Sequence, residues 1–486
     1  LKGNSGESTY DIWKALGNEG DATVFIEELK GNDGKSAYEI WLEQEGNEGK
    51  TKEEFIEFMK GEDGDPGPQG EPGPAGADGK WFARTATPKA GGPYELTFND
   101  GDKLTLKNVL IGEVWICSGQ SNMEMQMKGY GSQPVKGSTD MIMTAKPSVP
   151  IRSCHIKRVL ALDPVEECEA TWYEHTPVGV REASATAYMF ARKLQEVLEI
   201  PVGIINVSWG GSRIEAWMSE ELLRKEFAGE INMKHLDNDV MPEKNAFKMA
   251  CTLYNGMMHP VAPYTAKGFI WYQGCSNRHN PEQYVRLQPA FVNMLRQEWG
   301  SEDMGFYFTQ IAPYGYPDDK TGCAGAELMW AQARTLSLIP KSAMAATLDT
   351  GERDCIHPAD KKTVGDRLAY LVLSKDYGYE AMDVTSPLYK SLEVKDGKMY
   401  IRFNVNSLGV GPINTDFEGF ELAGNDGVYY PATGRVDSND RRVVVVTCPE
   451  VTEPVAVKYA MKNWSKAAVF SNAGIPASPF KAEIDR

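Results

Sequence analysis

Three times along this chain an apolar run of strand length stops at glycine. Val109–Cys117 ends in Ser118-Gly119, Val202–Val207 in Ser208-Trp209-Gly210-Gly211, and Gly268–Tyr272 in Gln273-Gly274. Short, continuously apolar runs bounded by glycine turns read as strands buried on both faces. Amphipathic helical stretches alternate with them, at Ala183–Leu198, Pro281–Trp299, Leu328–Ser337 and Ala359–Leu373. Further strand candidates are Ile151–Arg158, Gly305–Ile311 and Ala343–Leu348. Strands alternating with helices from Gly112 to about Glu380 predict an α/β domain whose mostly parallel sheet is covered on both faces.

The flanks differ from this body. Residues 81–110 are β-like, with Tyr94–Phe98 and Leu104–Leu106 about a turn at Asn99-Asp100-Gly101. After Ser386 the pattern alternates with period two, as in Met399–Phe403 and Val443–Val446, and predicts a small C-terminal β-sandwich over 385–486. Residues 1–61 hold two copies of one unit. Tyr10-Asp11-Ile12-Trp13 returns as Tyr38-Glu39-Ile40-Trp41, and Phe25-Ile26-Glu27 as Phe55-Ile56-Glu57. Each copy reads as two short helices, a stacking or spacing module. From Gly61 to Gly79 glycine occupies every third position, with Pro66, Pro68, Pro72 and Pro74 between. Residues 62–80 are therefore a collagen-like segment or a stiff Pro/Gly linker. A triple helix there would make the protein a homotrimer.

Charge narrows the partners. The 486 residues carry a net charge of −17. Residues 1–80 contribute 19 acidic and 8 basic side chains, or −11, which leaves −6 for the rest. No basic patch suggests nucleic acid, and no apolar run approaches the roughly 20 residues that span a bilayer. The 8 cysteines are scattered, without C-x-x-C, so neither a zinc ribbon nor a disulfide scaffold is indicated. No metal-ligand cluster stands out, and no cofactor is expected.

Chemistry concentrates just after the glycine-ended strands. Ser121, in Gly119-Gln120-Ser121-Asn122-Met123, stands where α/β hydrolases expose a nucleophile, although Met123 replaces the second glycine of a G-x-S-x-G elbow. Glycine at a strand end lets a backbone N–H face a cleft unobstructed, so Gly210 and Gly211 suit an oxyanion hole. Asn277 offers a side-chain N–H for the same purpose. Gly274-Cys275-Ser276-Asn277 echoes the Ser121 segment, so Cys275 and Ser276 are rival nucleophiles. His357 is the one histidine of 6 in a D-x-x-H pattern, with Asp354 placed to orient its ring.

Together these segments resemble the SGNH hydrolase superfamily. More closely, G-Q-S-N-M, S-W-G-G-S-R-I-E-A-W, W-Y-Q-G-x-S-N and D-x-x-H-P are similar to the sialate O-acetylesterase family of carbohydrate esterases. Phe417–Gly424, Val457–Ala460 and Gly474–Phe480 resemble its terminal β-domain, so the likeness runs over about 92–486. It implies a three-layer α/β/α esterase domain over 111–384. The implied enzyme is a serine carbohydrate O-acetylesterase acting through Ser121, His357 and Asp354. Ser121, Gly210 or Gly211, and Asn277 would form the oxyanion hole, with Gln120 and Gln273 as substrate contacts. Arg213 or Arg278 would meet a sialic acid carboxylate, unless each forms a structural ion pair. Acetylxylan or another acetylated polysaccharide is the alternative substrate, and a non-catalytic carbohydrate-binding or surface-display protein the alternative role. The family often has Glu where this chain has Cys275. The fold would bring that loop to the same rim as Cys355, so a Cys275–Cys355 disulfide is expected, and with it an oxidising, exported location.

Overall fold

A computed structural model describes residues 48–49, 86–99 and 101–484. The helical repeats, the collagen-like run and the start of the 81–110 segment lie outside these residues, apart from Glu48 and Gly49. Residues 90–486 form one compact unit.

A hairpin comes first. Strands β1 (Gly91–Asn99) and β2 (Lys103–Ile111) pair antiparallel. The sequence predicts one strand over Val109–Cys117, but the chain breaks at Gly112. A side chain there would lie 2.0 Å from the Pro201 carbonyl oxygen, so β2 ends and β3 (Glu113–Gly119) begins in a new sheet.

That sheet has seven strands. The others are β4 (Ile151–Ile156), β5 (Ala170–Glu174), β6 (Val202–Ser208), β7 (Gly268–Tyr272), β8 (Gly305–Thr309) and β9 (Ser342–Ala345). Their order is β5-β4-β6-β3-β7-β8-β9. All neighbours run parallel except β5, an antiparallel edge that the sequence did not announce. Successive residues of β3 enter opposite cores, as a pleated strand covered on both faces requires. Trp115 and Cys117 pack with Phe190 and Leu368, and Ile116 packs with Trp217 and Phe291.

Three of the covering helices have a local reason to start where they do. Helix α1 is the single turn Ser121–Glu124. Ser184 caps α2 (Ala185–Leu198) by accepting from Ala187 N–H, and Asp360 caps α5 (Lys361–Asp376) through Thr363 N–H. Pro281 opens α3 (Pro281–Glu298), where its missing N–H costs nothing. Helix α4 (Ala324–Thr335) lies beside α3 over one face, while α2 and α5 cover the other. No described helix is long and apolar enough to cross a membrane.

The C-terminal part differs from the expected sandwich. Its seven main strands form one antiparallel sheet rather than two packed layers. The outer strands are β10 (Leu388–Lys395) and β11 (Phe480–Glu483), and the sheet curls until Tyr389 stacks on Phe480 with ring centroids 5.0 Å apart. Its inner face is filled by residues such as Ile401, Phe420, Val444 and Tyr459.

Candidate active site

The chain winds outward from β3, first toward β4 and β6 and then toward β7, β8 and β9. Ligands of open α/β sheets bind at such a reversal, beyond the carboxyl ends of the strands. Here Gly119 is in register with Ser208 on one side and Tyr272 on the other. The three glycine-ended segments of the sequence therefore open side by side.

Gly119 makes the turn at φ +137°, and a side chain there would lie 2.3 Å from the Tyr272 carbonyl oxygen. Gln120 N–H donates to that carbonyl at 2.9 Å. Ser121 then starts α1, where its backbone N–H has no helical acceptor. Gly210 covers it: a Cβ at 210 would be 3.3 Å from Ser121 Cβ. Asn122 is buried and donates to the Ile356 carbonyl at 3.0 Å, which ties the Ser121 turn to the residue before His357. Lys361, also buried, donates to Asn122 Oδ1 at 2.7 Å and to the Pro358 carbonyl at 2.6 Å. Burial pushes its ammonium down to about 7.

Several expected roles change. Asp354 is exposed and makes no hydrogen bond to His357. The His357 Nδ1 lies instead 2.7 Å from Gln133 Oε1, and the Tyr130 ring meets the imidazole edge-on. Burial, then the Lys361 charge, lowers the His357 pKa. The Gly210 N–H donates to Glu124 Oε2 at 2.8 Å. The Asn277 side-chain N–H donates to Glu215 Oε2 at 2.8 Å, while its oxygen accepts from Ile214 N–H and Gln273 Nε2. Gly210 and Asn277, two of the four expected oxyanion donors, thus already have carboxylate acceptors. The N–H groups of Ser121 and Gly211 make no hydrogen bond among the described residues.

Gln120 and Gln273 brace the loops. Gln120 Oε1 accepts from Gly274 and Cys275 N–H, and its Nε2 donates to the Ser212 carbonyl and to Ser276 Oγ. Gln273 is fully buried and bonds Ser212, Asn277 and Tyr284. Arg278 stacks on Tyr316 and pairs with Asp318, and the exposed Arg213 sits 3.6 Å from Glu215. Cys275 and Cys355 are both free thiols in the structure. Cys275 contacts the Tyr316 hydroxyl, and Cys355 Sγ faces the His357 carbonyl. Neither rival nucleophile is poised: burial raises the Cys275 pKa, and Ser276 Oγ donates to the Gly211 carbonyl at 2.9 Å.

Beside this centre lies a cleft of about 420 Å³ lined by Glu124, Tyr130, His155, Lys157, Arg158 and Tyr173, among others. Its cations are paired: Arg158 with Glu124, and Lys157 with Glu169. Arg158 also lies over the Trp209 ring at 5.0 Å.

Residues 111–374, more than half of the chain, match the family described as carbohydrate esterase, sialic acid-specific acetylesterase. The chain belongs to that family. It is 28% identical to mouse sialate O-acetylesterase over 461 residues, covering 83% of this chain and 84% of that protein. Human sialate O-acetylesterase is 26% identical over 441 residues, with 83% and 82% covered. The crystal structure of a carbohydrate acetylesterase from Xanthomonas citri superposes with a TM-score of 0.73 at 29% identity, covering 84% of this chain and 92% of that one. The protein is a carboxylic ester hydrolase of the carbohydrate O-acetylesterase class.

Sequence reasoning missed Gln133, Glu124, Asn122 and Lys361. Asn122 adjoined the nucleophile in a motif already singled out. Gln133 and Lys361 carry no signal in a linear reading, because their partners lie 224 and 239 positions away.

Proposed function

We propose that Ser121 is the nucleophile and His357 the general base of an acyl-enzyme deacetylase acting on O-acetylated sialic acid. The observation that carries the reading is the Asn122–Ile356 hydrogen bond of 3.0 Å, which fastens the Ser121 turn to the His357 loop. His357 Nε2 takes the Ser121 proton as Oγ attacks the acetyl carbonyl. The oxyanion is met by the Ser121 N–H, with Gly211 N–H as the second donor. Loss of one such donor costs on the order of 100-fold in turnover. The tetrahedral species collapses, the sugar oxygen leaves with the proton from Nε2, and water releases acetate by the same route. Asp354 has no part in this scheme. The sialate choice rests on the names of the mouse and human relatives.

One observation favours a second substrate. Arg158, Lys157, Arg213 and Arg278 each already face a carboxylate, so none of these four is free for the carboxylate of a sialic acid. A neutral acetylated glycan such as acetylxylan fits that balance. Acetate release from 9-O-acetylated sialic acid and from acetylated xylan, by wild type and Ser121→Ala, tests both readings. Release confined to the sialic acid and lost in the variant supports the first. Release confined to xylan supports the second. Activity surviving in Ser121→Ala refutes the nucleophile. We further propose that the enzyme is exported and that its Gly-X-Y run assembles a homotrimer. Sedimentation of the full chain against residues 92–486 tests the trimer, and equal oligomeric states would reject it.

A further inference from the structure

His357 is held by an amide where such imidazoles are commonly held by a carboxylate. Gln133 Oε1 lies 2.7 Å from Nδ1. The turn carrying Gln133 is held by its own backbone and by the His357 loop. Tyr130 and Gln133 exchange backbone hydrogen bonds of 3.0 and 2.7 Å. Gly129, at φ +82°, passes so close that a side chain there would lie 2.4 Å from the Gln133 carbonyl oxygen. Lys136 N–H donates to the Ala359 carbonyl at 2.9 Å, which joins this loop to the His357 loop.

We propose that Gln133 is the positioning residue of this site: its amide oxygen keeps the proton on His357 Nδ1, directs the Nε2 lone pair to Ser121, and leaves the site without an anion behind the base. The inference rests on the Ser121–His357 reading above. In the acylation step the Ser121 proton moves to Nε2 as the Oγ–carbon bond forms. Nδ1–H stays on Gln133 throughout. The proton then passes from Nε2 to the departing sugar oxygen as the carbon–oxygen bond breaks.

The groups around His357 agree with a base that stays neutral into mild acid. The Tyr130 ring meets it edge-to-face, and the Lys361 ammonium at the start of α5 is near enough to act on its charge. Cys355 contacts the His357 carbonyl. Glu352 is turned to Ala359 N–H, Asp360 to the α5 cap, and Asp354 is exposed. Beyond Tyr130, Glu124 is neutralised by Arg158. Burial and Lys361 lower the His357 pKa, and no carboxylate touches the ring to raise it.

The test is the pH dependence of kcat/KM for acetate release. Gln133→Glu, nearly isosteric, places a carboxylate on Nδ1 and should raise the acid limb by about one pH unit or more. Gln133→Ala should lower kcat about 100-fold with KM little changed. Asp354→Asn should leave both the rate and the limb as in wild type. An acid limb unmoved by Gln133→Glu, or displaced by Asp354→Asn, overturns the proposal. Failure of the underlying reading shows separately, as acetate release surviving in Ser121→Ala, and would remove both.

Discussion

The buried ammonium of Lys361 lies 2.7 Å from the side-chain oxygen of Asn122, whose amide nitrogen in turn holds the Ile356 carbonyl at 3.0 Å. A lysine near one end of α5 thereby sets the position of the turn that carries Ser121. A buried amide acceptor without a partner costs roughly 1–3 kcal/mol.

The Lys361 linkage has a definite sign. The folded chain releases this proton at about 7, whereas an unfolded chain keeps it into the ordinary lysine range. Between those values the unfolded state binds more protons, so the stability contributed by Lys361 rises with pH. The urea midpoint of wild type should gain on that of Lys361→Met as pH increases from about 7 to about 9. A difference that does not vary with pH would contradict the assignment.

Asn122→Ala should separate the two catalytic loops. We expect a loss of about 1–3 kcal/mol in stability and a fall in kcat of roughly 10- to 100-fold with KM nearly constant. Steady-state kinetics with equilibrium unfolding would check it, and wild-type kcat in a folded variant would argue against the tether.

Gly119→Ala should be poorly tolerated. It requires φ +137° of a residue with a side chain, and it places Cβ 2.3 Å from the Tyr272 oxygen. The backbone conformation alone is worth about 1–3 kcal/mol, and the clash adds to it. A thermal midpoint equal to that of wild type would sink this reading of the turn.

All 8 cysteines should be free. Alkylation after denaturation without reductant should label every one, Cys275 and Cys355 included. A cross-linked Cys275–Cys355 peptide in the mass spectrum would show the opposite.

Much of the architecture is legible in the linear pattern. Continuous apolar runs such as Gly268–Tyr272 and the amphipathic stretch of Pro281–Glu298 are strong local signals, and they fall where the strand and helix form. Ala170–Glu174 was not legible, because an exposed edge strand lacks the apolar run that marks its buried neighbours. The curl of the C-terminal sheet was equally hidden, since period-two alternation is the same for a sandwich and a curled sheet. At the site, glycine-ended strands point to Ser121 and Gly210, whose side-by-side placement follows from parallel pairing in register. The partner of His357 was misread because nearness in sequence favoured Asp354. The contact in the structure is Gln133, which lies 224 positions away in the chain.

The C-terminal sheet is more than an appendage to the catalytic sheet. Asn463 alone makes four hydrogen bonds to the 314–325 stretch, through Tyr314 N–H, the Gly322 carbonyl, Gly325 N–H and Asp319. Gln310, at the end of β8, donates to Ser478 Oγ at 2.6 Å. That stretch contains Tyr316, which contacts Cys275 and carries Arg278 on its ring. A cut near residue 385 would therefore follow the boundary in secondary structure but not one in cooperativity. Any swap of this terminal module between related chains has to carry the matching 310–325 loop with it, so the two parts are constrained to diverge in step.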